Sequence, residues 1–164
     1  MGENAPSMPT FEEGPVISKR PATAEDTGFA RQVHHSGYHD TVVRQFGEWD
    51  EAMQDKFFDA AWNADPHEIL MSDESDCGYC AIERHPDHIF LHELVVSDEF
   101  QGQGIGSKVL QELIDEAKAK EIPIKLQVLK ENEGARRLYL KFGFKDTEIT
   151  DMHYLMEYNP SDGE

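Results

Sequence analysis

Basic side chains are scarce in this 164-residue chain: 15 Lys and Arg stand against 33 Asp and Glu, a formal net charge of −18. Phosphate contacts need a positive surface, so a protein this acidic is not built to hold nucleic acid. Long apolar runs are missing too. No stretch approaches the roughly 18 apolar residues of a membrane helix, and MGENAPSMPTFEEG at the start lacks the basic patch and apolar core of a signal peptide. We therefore expect a soluble, cytoplasmic protein with no membrane partner. Residues 1–14, half of them proline, glycine or glutamate, have little to bury and read as a loose tail. Residues 15–160 remain as a single domain, long enough to bury a sizeable core.

Cysteine is the next scarcity. Cys77 and Cys80, in CGYC, have His85 and His88 close behind them. The run YCAIERH reads as a strand, not as the helix N-terminus that lowers a thiol's pKa. Positions three apart on a strand face opposite sides, and the Cys-Cys-His-His spacing matches no common zinc finger. Reduced structural cysteines and no metal are expected, with a zinc-binding interaction domain as the non-enzymatic alternative.

The few basic residues are unevenly spread. Residues 101–145 hold 9 Lys and Arg against 6 Asp and Glu, and the remainder holds 6 against 27. One account is salt adaptation or solubility; the other is an anionic ligand on the basic segment and a cationic partner drawn to the rest.

The elements follow from periodicity. PVISKRPAT reads as a short strand, and a helical pattern runs from about Ala24 to His35 with Thr23 as cap. HHSGYHD, with three histidines, then reads as a solvated loop, with a substrate loop or a metal site as the alternatives. A second helix from about Glu48 to Asn63 repeats Trp49, Met53, Phe57, Ala60 and Ala61 at helical spacing and stops before Pro66. HEILMS and GYCAIERH flank DESDC as an antiparallel hairpin, and HIFLHELVVS is a third, more apolar strand. GSKVLQELIDEAKAK puts Val109, Leu110, Leu113, Ile114 and Ala117 on one helical face. IPIKLQVLK is another strand, EGARRLYLKF a short helix ended by Gly143, and MHYLMEY a terminal strand. Strands first meander and later alternate with helices, which makes the class α/β (α+β) with a mixed sheet.

Between HIFLHELVVS and the following helix lies EFQGQGIGS. It is not a Walker loop, since Ser107 precedes Lys108, and not a dinucleotide fingerprint, since the third glycine falls on Ser107 or Val109. What remains is Gln101-x-x-Gly104-x-Gly106 at a helix start, where unpaired N–H groups and the helix dipole favour an anion. Without Cβ atoms a diphosphate can approach the backbone closely. A tight turn with no ligand is the alternative.

This turn resembles the pyrophosphate loop of the GNAT superfamily of N-acetyltransferases: Gln or Arg, two residues, Gly, one residue, then Gly or Ala. LKENEGARRLYLKFGF is similar to the family's second motif through Asn132, Ala135, Tyr139, Gly143 and Phe144. The two motifs span about 60 residues in the family's order. The resemblance implies a mixed, mostly antiparallel sheet of about seven strands flanked by about four helices, with the fourth and fifth strands splayed apart. It implies acetyl-CoA as cosubstrate. Leu94, Val95 and Val96 would offer main-chain hydrogen bonds to the pantetheine arm. Gln101, Gly102, Gln103, Gly104, Ile105, Gly106 and Ser107 would cradle the diphosphate. Asn132 would contact the cofactor beside the splay, and Tyr139 would protonate the leaving sulfur. Lys108, Arg136, Arg137 and Lys141 lie on the elements that would flank this polyanion.

The implied activity is acetyl transfer to a primary amine of a small, cationic acceptor by direct attack. A main-chain N–H on the fourth strand, such as that of Val95, would stabilise the oxyanion. Glu93, a carboxylate inside an apolar strand, is the first candidate for the base, acting through water, and His92 is its competitor. Strand alternation puts those two on opposite faces, so only one should reach the acceptor cleft. Tyr38, Phe46, Trp49 and Trp62 could wall a pocket, with Trp49 and Glu93 taken as acceptor contacts and Trp62 as core. The family branch that acetylates protein N-termini carries glutamate five residues before the asparagine, where this chain has Gln127. Alternatives are a non-catalytic coenzyme A binding module of the same fold and acetylation of a protein amine. A homodimer is left open beside a monomer.

Overall fold

A computed structural model describes residues 14–163, so the tail expected over residues 1–14 lies outside the described residues except for Gly14. The strands are β1 (Ile17–Pro21), β2 (His67–Ser72), β3 (Ser75–Arg84), β4 (Ile89–Val96), β5 (Ile124–Leu129), β6 (Lys145–Ile149) and β7 (His153–Tyr158). The helices are α1 (Thr27–Phe46), α2 (Glu51–Ala64), α3 (Ile105–Lys120) and α4 (Glu133–Lys141). One sheet orders the strands β1-β2-β3-β4-β5-β7-β6, the expected mixed and mostly antiparallel architecture. Only β4 and β5 run parallel, and they pair at just two positions, Ile89 with Ile124 and Phe90 with Lys125. Beyond those pairs the two strands part. No helix among the described residues is long and apolar enough to cross a membrane.

Each face of the sheet has its own core. Val109, Leu110, Leu113, Ile114 and Ala117, the apolar stripe of α3, pack with Ile89, Leu91, Ile124 and Leu126. On the other side Ala30 and Val33 of α1 and Phe58 of α2 pack with Ile69, Tyr79 and Val95. Burying each valine, leucine, isoleucine or phenylalanine among them contributes roughly 1.5–3 kcal/mol against conformational entropy.

Four readings need correction. HHSGYHD is not a loop but the middle of α1, whose buried stripe continues through Ala30, Val33, His34, Thr41 and Val42. Gly37 lies on the same side but is exposed in the cleft wall; a Cβ there would lie 2.8 Å from Val95 Cγ1, so close approach to β4 favours glycine despite its low helix propensity of about 1 kcal/mol. In α2 the buried residues are Gln54 and Phe58, one position away from the expected Met53 and Phe57, which are exposed. Two of the sheet's three register shifts rearrange the expected faces: Cys77 is the extra residue opposite Leu70 and Met71, and His92 the extra residue opposite Ala81 and Ile82, while the third lies between β6 and β7. The first brings Cys77 and Cys80 into the same core, where strand alternation would have separated them. Finally, β6 escapes the periodicity because all five of its residues are exposed on the sheet's edge.

Candidate active site

Where β4 and β5 diverge, the gap opens into a cleft of about 740 Å³. Its walls include His34 and Tyr38 of α1, Gln54 and Phe57 of α2, His92 to Val96 of β4, Gln127 to Leu129 of β5, and Tyr139 of α4. The expected pantetheine residues Leu94, Val95 and Val96 therefore lie past the last β4–β5 pair, on the open stretch of β4.

Gln101 and Gly106 line the same cleft, and Gln101 donates from Nε2 to the Val96 carbonyl at 3.0 Å, tying the turn to the end of β4. Gly102 and Gly104 hold φ of 80° and 77°, in the left-handed region, and nothing lies within 4 Å of a Cβ built on either. Gly104 is the N-cap of α3 and no side chain caps that end. The first helical bond runs from Lys108 N–H to the Gly104 carbonyl at 3.0 Å, so the N–H groups of Ile105, Gly106 and Ser107 have no acceptor within the helix. An open backbone with three unspent donors fits a diphosphate. Lys108, Arg137 and Lys141 are exposed and enter no ion pair among the described residues. Arg136 differs: it pairs with Asp146 and lies 3.9 Å above the Tyr154 ring.

Asn132 is the N-cap of α4; its Oδ1 accepts from Ala135 N–H at 3.3 Å while the residue faces the cleft. The cap starts the short helix that carries Tyr139 inward. That phenol is 8% exposed, packs on Phe144 at 5.5 Å, and is pushed by burial up to about 12, so it keeps its proton throughout the neutral range. Tyr38 is raised well above its ordinary value, first by burial and then by the charges of Glu93 and Tyr139. It thus stands within electrostatic reach of both.

The bulge at His92 changes the geometry of the β4 wall of the cleft. Glu93 Oε1 accepts from the Tyr79 hydroxyl at 2.8 Å, and Glu93 Oε2 lies 3.9 Å from His67 Nε2. His67 Nδ1 is 2.8 Å from the Asp65 carbonyl. Burial pulls the His67 pKa down, but Glu93 and Asp65 outweigh it, and the net shift is upward. At 3.9 Å we count the His67–Glu93 approach as electrostatic, not as a hydrogen bond. His92 Nε2 reaches Glu83 at 2.8 Å and Asp65 at 3.7 Å. Alternation is broken at this bulge, so His92 and Glu93 both line the cleft, where only one was expected. Asp65 and Glu93 both line the cleft, and two carboxylates in one wall favour a cation, while Glu83 lies outside the lining.

Other residues lie elsewhere. Trp49 is not in the cleft wall; it packs on His35 at 5.0 Å and His39 at 5.3 Å, and its Nε1 donates to Glu51. Trp62 joins the α1–α2 core, stacked on Phe58 at 5.5 Å. Burial raises the Cys77 and Cys80 thiols to about 11 and about 12, values of inert cysteines, while His85 and His88 stack on each other at 4.5 Å. Sequence reasoning missed His34, Gln54 and Asp65 as wall residues and used Phe57 only as core. The usable signal was the spacing Gln54, Phe57, Phe58 and Ala61, which shares one helical face.

With this geometry in place, comparison with known proteins is informative. The family model described as "Acetyltransferase (GNAT) family" matches residues 35–144. An uncharacterized N-acetyltransferase of Methanocaldococcus jannaschii is 30% identical over 97 residues, 58% of this chain and 42% of that protein. N-alpha-acetyltransferase RimI of Mycobacterium tuberculosis is 31% identical over 105 residues, 58% of this chain and 65% of its own length. The matches thus span less than two thirds of either relative. Among solved structures, PaiA N-acetyltransferase of Thermoplasma acidophilum, in complex with coenzyme A, superposes with a TM-score of 0.71 at 20% identity, covering 88% of this chain and 99% of that one. The two motifs, the parted strands and the family match agree, and the chain belongs to the GNAT family of acetyltransferases.

Proposed function

We propose that this chain is an acyltransferase that moves the acetyl group of acetyl-CoA to a primary amine of a small, cationic acceptor by direct attack. The observation that carries the reading is the cleft itself: β4 and β5 part after two pairs, and the opening holds Tyr139 on one wall and Glu93 on another. The glycine turn and the N–H groups of Ile105, Gly106 and Ser107 would hold the diphosphate, and the open edge of Leu94 to Val96 would hold the pantetheine arm. Acetyl-CoA supplies the activated thioester.

The protein's own groups do the rest. An amine attacks only when neutral, so its ammonium must be held and must lose a proton. Glu93, anchored by the Tyr79 hydroxyl, faces the cleft as the carboxylate to hold it and the first candidate for its base. Tyr139 retains a phenolic proton to give to the departing sulfur. Asp65 adds negative charge to the cleft wall, in keeping with a cationic substrate. A cytoplasmic location and a small-molecule acceptor belong to this same proposal.

The likeness to RimI, named an N-alpha-acetyltransferase, favours a protein amine as the second reading. Gln127, which lines the cleft, stands against it, because the protein-acetylating branch has a glutamate there. A thiol-release assay with acetyl-CoA against polyamines, aminoglycosides, lysine derivatives and peptide N-termini tests both. Turnover confined to small polycations supports the proposal; turnover only with peptides replaces it by the second reading; none with any amine leaves a coenzyme A binding module.

A further inference from the structure

Consecutive histidines on α1 point different ways. His34 lines the cleft, buried between the rings of Tyr38 at 4.9 Å and Phe58 at 5.5 Å. His35 turns towards α2. The two rings meet at Nδ1, 2.9 Å apart, and His35 Nε2 lies 2.8 Å from Asp55 Oδ1. Asp55 is partly open to solvent, with 42% of its side chain exposed. An unbroken hydrogen-bonded chain therefore runs from the cleft wall to the surface.

The proton positions follow from what each atom can do. A carboxylate only accepts, so His35 Nε2 carries a hydrogen. In the uncharged ring, Nδ1 of His35 then has a lone pair, which must accept from His34 Nδ1–H. That leaves His34 Nε2 with a lone pair and, among the described residues, no hydrogen-bond partner. Burial lowers the His34 pKa to about 4, against a smaller upward pull from Glu93, so the ring stays uncharged at neutral pH. A proton arriving at Nε2 must therefore leave from Nδ1.

We propose that the proton of the acceptor amine leaves through His34, His35 and Asp55, with Glu93 holding the ammonium and His34, in place of Glu93, acting as its base. The ammonium held by Glu93 gives its proton to His34 Nε2; in concert, His34 Nδ1–H passes to His35 Nδ1, His35 Nε2–H passes to Asp55, and solvent takes the proton from Asp55. One proton enters and one leaves, and neither ring keeps a charge. After the product departs, one proton passing the opposite way to water in the open cleft resets both tautomers. His34 is then the catalytic residue that meets the substrate, and His35 and Asp55 act through it. Glu93 from β4 and Tyr38 of α1 face the inner end; Glu51 of α2 and Arg31 of α1, itself paired with Asp59, surround the outer end. This inference rests on the acetyl-transfer reading.

Two experiments test it. Long-range ¹H–¹⁵N correlation of the histidine rings in the full chain above pH 7, with His34→Gln for assignment, should show His34 as the Nδ1–H tautomer; an Nε2–H tautomer overturns the relay. Kinetics with an amine that the wild type acetylates should show kcat/KM for the acceptor falling at least tenfold in His35→Gln and in Asp55→Asn, with KM for acetyl-CoA unchanged. The double variant should lose no more than the worse single one. The rate of both single variants should also rise with the concentration of a basic buffer, which a purely structural defect would not produce. Asp55 is exposed, so its variant keeps the test valid if His35→Gln folds poorly. Full turnover in Asp55→Asn, or variant rates indifferent to buffer base, overturns the relay alone. A wild type that acetylates no amine removes the reading beneath it instead.

Discussion

Tyr139 keeps its proton because burial disfavours the phenolate, and it is the one group of the second motif with acidic chemistry to offer. Tyr139→Phe should lower kcat by about 10²-fold, within the range for general acid catalysis, while the acetyl-CoA Kd measured by calorimetry changes less than twofold. Asp26 gives a pH prediction unrelated to catalysis. Two hydrogen bonds from Arg20, at 2.9 and 3.0 Å, hold its carboxyl at about 2 against an ordinary 3.8. The folded value lies below the unfolded one, so the stabilisation is complete above about pH 3.8 and is lost as pH falls through about 2. Asp26→Asn should cost about 1–2 kcal/mol at pH 7, and thermal melts should show the gap to wild type closing only below about pH 4. The glycine turn was legible at this scale because a turn needing positive φ leaves glycines in the chain. The cleft wall opposite was not: His34 and Asp65 are ordinary polar residues until the fold assembles them.

At the scale of elements, the sequence announced strands and helices where apolar residues recur and concealed them where they do not. The stripe of α3 was readable because every inward position is apolar. Ser36, Gly37 and three histidines hid the continuation of α1, whose inward face against β4 requires Gly37 and uses His34 as a wall residue. Neither bulge has a sequence signature, since a single extra residue leaves local composition unchanged. Yet the bulge at His92 decides which side chains of β4 enter the cleft. On the neighbouring strand, Gly78 lies so close to β4 that a Cβ there would be 2.2 Å from the Val95 carbonyl oxygen. Backbone cannot yield there as a side-chain tip could. Gly78→Ala should therefore destabilise the fold by about 3 kcal/mol, read as a lower urea midpoint with unchanged m-value. It should also weaken acetyl-CoA binding, because Val95 belongs to the open edge of β4.

For the whole molecule, an excess of negative charge surrounds a locally basic segment. Long-range attraction of a cationic acceptor is screened within about 10 Å at 0.1 M salt, so its KM should rise severalfold between about 0.05 and 0.5 M salt. A neutral amine of similar size should show little change, and equal salt responses would assign the acidity to solubility. The central claim, that bare amides around Gly104 bind the diphosphate of acetyl-CoA and direct its thioester into the gap between β4 and β5, is tested most directly by calorimetric titration of acetyl-CoA into the wild-type chain and into Gly104→Val, whose side chain disfavours the observed φ. We predict one-to-one saturation of the wild type with Kd below about 1 mM and at least tenfold weaker binding by the variant. No saturable heat from the wild type, or equal affinity in the two proteins, would contradict it.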